Sequence, residues 1–163
     1  MLKQFCLFSL LIFVVACSSA KKKNGADDSD ADVSGKNDYV LELNGDSDSG
    51  RAGHLKTIYF DYRSANITAE SKKMLDENIA FLVANDAVNI QIEGHADERG
   101  SSQFNLTLGE KRAQSVYDYL TGRGVDGKKL TMISLGKEKP VSFGHDEEAW
   151  SKNRRANFVV TAK

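Results

Sequence analysis

EGHADERGSSQFNLTLGEKRAQSV, residues 93–116, is the stretch that decides how this chain is read. It carries an acid (Asp97), a glycine turn (Gly100), a polar Asn105 and a base (Arg112). The alternating run 89–93 leads into it as a strand, and residues at helical spacing lead out of it. Strand, loop and helix bring Asp97 and Arg112 to the same end of a sheet. A carboxylate pairs with an ammonium, and a guanidinium forks onto a carboxylate. Together they match a small zwitterionic group, such as a free amino-acid end on a large polymer. Amides opening the helix and the Asn105 side chain add donors for a carboxylate. The same spacing also fits Asp97 and Arg112 pairing with each other to close the loop.

Working outward, residues 57–60 (TIYF) read as a first strand. Thr68 is the expected N-cap of a first helix, with Glu70 in its first turn and Leu75, Ile79, Leu82 and Val83 at helical spacing up to about Asn85. The second helix starts at Ser101 or Ser102 and stops at the glycines 122–124. Leu106, Ala113, Val116, Tyr117 and Leu120 form its apolar stripe. Asn105, Leu108 and Arg112 form a neighbouring stripe, which puts Arg112 on the helix flank rather than in the core. Residues 131–135 are a third strand, 136–153 a long loop, and 155–161 a fourth strand. The fold class is α+β: a two-layer βαβαββ sandwich with two main helices on one face of a four-stranded mixed sheet. This domain is expected to span residues 54–163.

The chain before it differs in kind. Lys3 precedes an apolar run, 5–16, that is shorter than the roughly 20 residues of a membrane span. It fits the core of a secretory signal over residues 1–16, ending Val14-Val15-Ala16-Cys17. A small residue before that cysteine resembles the bacterial lipoprotein cleavage box, which implies acylation of Cys17 and anchoring in membrane lipid. Ser18 after the cysteine implies passage to the outer membrane. Residues 24–50 hold eight acids and one base, a net of −7, with few apolar residues. Such a segment reads as an extended, disordered tether from Cys17 to residue 53. Its small apolar island, 39–43 (YVLEL), reads as a transient cluster. Two Asp-rich runs within it, 27–32 and 46–50, lack the full ligand spacing of a calcium loop.

Several classes of function are disfavoured. A formal net charge of −1 gives no basic field to collect nucleic acid. Both cysteines, Cys6 and Cys17, lie in the first seventeen residues, so the domain has no thiolate metal site and no cofactor is expected. His54, His95 and His145 are scattered, with no HExxH and no GxSxG elbow. His95, two residues from Asp97, fits a histidine that fixes the loop better than a catalytic one. A hydrolase acting on the same polymer remains the alternative to a non-catalytic binder.

The stretch 94–116 resembles the signature of the OmpA-like domain family, in the Asp-Glu-Arg-Gly form of its peptidoglycan-associated lipoprotein branch. Tyr59-Phe60-Asp61, Gly144-His145-Asp146-Glu147 and Asn153-Arg154-Arg155-Ala156 resemble further family motifs in the same order. The likeness covers about residues 57–161. It implies binding of the peptidoglycan stem peptide through diaminopimelate, with Asp97 and Arg112 as the charged pair. Asn105 and Leu108 match helix positions of the site, and Phe60 and Asp61 border its cleft. Arg99 is expected at the ligand's rim, whereas Arg154 and Arg155 are expected mainly to form structural salt bridges. Ala96 departs from the family's usual threonine. The resemblance also implies contact with Tol-type envelope proteins such as TolB.

Overall fold

The structure is a computed structural model and describes residues 39–163. The expected signal segment, Cys17 and the tether up to residue 38 lie outside the described residues. The elements run β1 (Ile58–Tyr59), α1 (Ala69–Ala84), β2 (Asn89–His95), α2 (Ser102–Gly122), a 3-10 turn (Gly127–Lys129), β3 (Leu130–Gly136), α3 (Glu147–Asn153) and β4 (Arg155–Ala162). The sheet order is β1-β4-β2-β3. β2 and β3 are parallel, joined through α2, and β4 runs antiparallel to both β1 and β2.

Each helix starts where a side chain satisfies a free amide. Thr68 Oγ1 accepts from Ser71 N at 3.1 Å, and Ser101 Oγ accepts from Phe104 N at 3.2 Å. Ile90 and Ile92 of β2, and Ala156, Phe158 and Val160 of β4, alternate into the core. Leu75 and Leu82 of α1 and Ala113, Val116 and Leu120 of α2 meet them there.

α2 lies unusually close to β2 at the end where Asp97 emerges. A Cβ on Gly94 would sit 1.9 Å from the Gly109 carbonyl oxygen, so glycine is required at that crossing. This contact sets the rotation of α2, and the rotation differs from the expected one. Leu106, placed in the core stripe, is 44% exposed, while Asn105, Leu108 and Arg112 are buried. Polar positions face inward because the strand-end and loop carbonyls there need donors.

Two further expectations are corrected. The loop 136–153 contains α3. Asp146 Oδ1 caps it by accepting from Ala149 N at 2.9 Å, and Glu147 and Glu148 occupy its first turn. Its seven residues are too few to show an apolar period.

The expected tether also ends earlier than residue 53. Leu41 and Ala52 pair in a small hairpin, and Ala52 is fully buried. β1 is two residues long, so it leaves the second half of β4 with free edge groups. Asn44 N donates to Val160 O, Val160 N to Gly45 O, and Ser47 N to Phe158 O, closing that edge. Asp48 Oδ2 then takes the Nε of buried Arg155 at 2.7 Å. The apolar island is therefore part of the fold: Leu41 packs on the core and Tyr39 lies 3.6 Å from the His54 ring centroid.

Candidate functional site

Asp97 leaves the end of β2 and is 4% exposed. Its Oδ1 accepts from Arg99 N at 3.1 Å and its Oδ2 from Arg99 Nη2 at 2.6 Å. Arg154 Nη1 stands 3.5 Å from the same Oδ2. Burial pushes the Asp97 carboxyl up, but the Arg99 hydrogen bonds and the charges of Arg99 and Arg154 win. Together they hold it below the usual carboxylate range.

The loop after Asp97 is fixed from several sides. Asn105 Nδ2 donates to Arg99 O at 3.2 Å, and Lys137 Nζ to Gly100 O at 2.9 Å. Gly100 takes φ +102°, a left-handed conformation that suits glycine. Glu98 points outward and accepts from Trp150 Nε1 and from His145 Nδ1, both at 2.8 Å. The Arg99 guanidinium lies between two rings, 3.9 Å from the centroid of Tyr62 and 3.9 Å from that of Trp150. Its Nη1 is 3.7 Å from Glu147.

Arg112 is fully buried beneath this cluster. It donates Nε to Ser64 O at 2.9 Å, Nη1 to His95 O at 2.7 Å and Nη2 to Asp61 O at 3.0 Å. Its guanidinium carbon stands 5.2 Å from the Phe60 ring centroid. Burial pushes its pKa down to about 10, against the pull of Asp97, so it stays charged at neutral pH. Two segments distant from it in sequence, the 61–64 turn and the end of β2, converge on this one side chain. One cleft beside the cluster is lined by Phe60, Asp61 and Arg154. A second is lined by Arg63, Ser101, Phe104 and Leu108.

A model described as "OmpA family" matches residues 59–154. The chain belongs to the OmpA family. Within it, the chain is similar to a peptidoglycan-associated lipoprotein of Haemophilus influenzae, 48% identical over 100 residues; the match covers 61% of this chain and 65% of that protein. The aligned part thus spans just under two thirds of that relative. A peptidoglycan-associated lipoprotein of Legionella pneumophila is 31% identical over nearly the full length, covering 96% of this chain and 93% of that protein. The crystal structure of the peptidoglycan-associated lipoprotein from Burkholderia pseudomallei matches with a TM-score of 0.62 at 41% identity, covering 64% of this chain and 88% of that one.

Against the OmpA-family signature, the structure brings Asp97, Arg99, Asn105, Phe60 and the Asp61 backbone into one cluster, with Leu108 at the wall of the second cleft. Arg112 joins them from below instead of from the helix flank. It neither pairs with Asp97 by hydrogen bond nor opens onto a cleft, because its Nε, Nη1 and Nη2 each turn to a backbone carbonyl. The Asp61 side chain is exposed, and the residue contributes its backbone carbonyl. His95 is buried on the opposite side of β2, 3.5 Å from Glu93, so it does not approach Asp97 as a catalytic partner.

Sequence reasoning missed Tyr62, Glu147 and Trp150, and it gave Arg154 a mainly structural role. Arg154 does form such bonds, with Nε to Phe60 O at 3.0 Å and Nη2 to Glu147 at 2.5 Å. Its Nη1 is nevertheless buried without a hydrogen-bond partner among the described residues. The presence of a single tryptophan in the chain, within a polar loop, was the one signal that could have singled out Trp150.

Proposed function

We propose that this chain is an envelope lipoprotein that binds peptidoglycan stem peptides without catalysis and tethers the outer membrane to the cell wall. The observation that carries the reading is Asp97: a buried carboxylate kept ionised and ringed by arginines at the meeting point of β2, α2 and α3. Such a group recognises an ammonium, and diaminopimelate in a stem peptide presents an ammonium and a carboxylate on one carbon. Asp97 takes the ammonium. Arg154 Nη1 and the loop amides serve the carboxylate, while Arg112 braces the site from beneath. Asn105 holds the loop, Phe60 and Leu108 form apolar walls, Asp61 borders the entrance, and Arg99 pairs with Asp97. The names of the relatives, which are peptidoglycan-associated lipoproteins, support the same assignment.

In this proposal Cys17 carries the acyl chains that hold the protein in outer-membrane lipid, and the domain lies in the periplasm. Two or three chains anchor firmly where one holds weakly. Many weak grips on one continuous polymer add up through avidity. Contact with Tol-type proteins such as TolB belongs to the same proposal and rests on family resemblance.

The test is co-sedimentation of the purified chain with isolated sacculi. The parent is expected to pellet with them and release no soluble fragments. Asp97→Asn is expected to lose about 1–3 kcal/mol of binding. Fragment release by the parent, or an unchanged Asp97→Asn variant, would overturn the proposal.

A further inference from the structure

We infer that Tyr62, Trp150 and Asp97 build a seat for an organic cation, which Arg99 occupies from within the chain and which a ligand ammonium takes over on binding. The identity of that ligand rests on the peptidoglycan reading; the seat itself rests on geometry. Two ring faces flank one guanidinium at 3.9 Å each, with a carboxylate oxygen 2.6 Å from its Nη2. Aromatic faces attract any cation within about 6 Å of the ring centroid, ammonium and guanidinium alike. The seat is therefore selective for positive charge rather than for arginine.

Arg99 is a poor permanent tenant. Its side chain is 27% exposed, and its Nε is buried without a hydrogen-bond partner among the described residues. The other two arginines around Asp97 look different: Arg112 is fully buried and bonds through all three of its nitrogens, and Arg154, its side chain 8% exposed, bonds both the Phe60 carbonyl and Glu147. The Arg99 backbone is tied down independently, by its own N–H to Asp97 and by its carbonyl to Asn105. The side chain can thus swing away while the loop stays. Glu147, exposed and 3.7 Å from Nη1, keeps a partner for it outside the seat. Arg99 then holds the seat formed and its charge neutralised until a ligand arrives, and the affinity of any ligand is net of displacing it.

The sign of one variant separates this from a rim role. If Arg99 touches the ligand, Arg99→Gln weakens binding; if Arg99 competes with it, Arg99→Gln tightens binding. Trp150 is the chain's one tryptophan, so its emission reports on the seat without a label. Titrating the full chain with a diaminopimelate stem tripeptide is expected to give about tenfold tighter binding in Arg99→Gln than in the parent. The same peptide with its diaminopimelate amine acetylated is expected to leave the emission unchanged. Equal or weaker binding by Arg99→Gln overturns the seat, while parent binding to sacculi leaves the peptidoglycan reading standing.

The seat is also read with no cell wall present. Methylammonium is expected to give a saturable change in Trp150 emission in Arg99→Gln and none in the double variant Arg99→Gln, Asp97→Asn. No change in the single variant, or the same change in both, overturns the seat whatever the sacculi show.

Discussion

Replacing Arg112 by lysine tests whether this guanidinium braces the site or grips the ligand. Arg112 serves three carbonyls, at Ser64, His95 and Asp61, from two separate segments, the 61–64 turn and the end of β2. A lysine ammonium is a single point and cannot span them. The bond to His95 O is fully buried, so leaving that carbonyl bare costs about 2–3 kcal/mol. The Ser64 and Asp61 carbonyls lie nearer water and lose about 1 kcal/mol each, part of it regained through a bridging water. Moving a still-charged ammonium into that site recovers little desolvation. The expected net loss is about 3 kcal/mol. With a urea slope of about 2 kcal/mol/M, the unfolding midpoint falls by about 1.5 M. Chemical denaturation followed by Trp150 emission measures it directly. Sacculus binding falls as well, because the Asp61 and His95 backbones carry the walls around Asp97. An Arg112→Lys variant that unfolds within about 0.5 M of the parent yet no longer binds sacculi would refute the brace, and Arg112 would then be a direct ligand contact.

The N-terminal segment and the pH response give further tests. Asp48→Ala leaves Arg155, 3% exposed, buried without its carboxylate, and is expected to cost about 2–3 kcal/mol. Hydrogen exchange at the Ser47 and Val160 amides should speed up with it; an unchanged melt and unchanged exchange would show that the segment does not need this pair. The exposed Glu98–His145 contact should respond to pH. The Glu98 hydrogen bond raises the His145 pKa above its ordinary value, so this contribution is full below the ordinary histidine pKa and fades as pH rises through the raised one. Bonds from Trp150 and His145 lower the Glu98 pKa, so its contribution fades as pH falls through that lowered value. The contact is thus strongest in the window between the two. A proton NMR titration of His145 should show its pKa return to the ordinary range in Glu98→Gln, and no shift would remove the contact from the account.

Several features of this protein are local and were legible in its residues. Thr68 and Ser101 start helices because a hydroxyl meets a free amide three residues on, and Gly100 turns the loop because its φ is positive. The alternation in β2 and β4 fixes which residues enter the core, and hence the α+β sandwich. The position of Asp97 at a strand end, ahead of a helix start, was legible because it is itself a local arrangement. The rotation of α2 was not. It is set by the backbone contact of Gly94 with Gly109, and by carbonyls at positions 61, 64 and 95 that draw Arg112 inward. An apolar count along one helix cannot register acceptors up to fifty-one residues away. Nor can it show that an acidic, glycine-rich segment has an unfilled sheet edge to close, since that vacancy follows from the two-residue length of β1. The residues determined the elements and the charge at the site. Tertiary structure decided which arginine is buried as a brace and which lies between two aromatic rings, because hydrogen-bond demand from distant segments sets side-chain burial as strongly as hydrophobicity does.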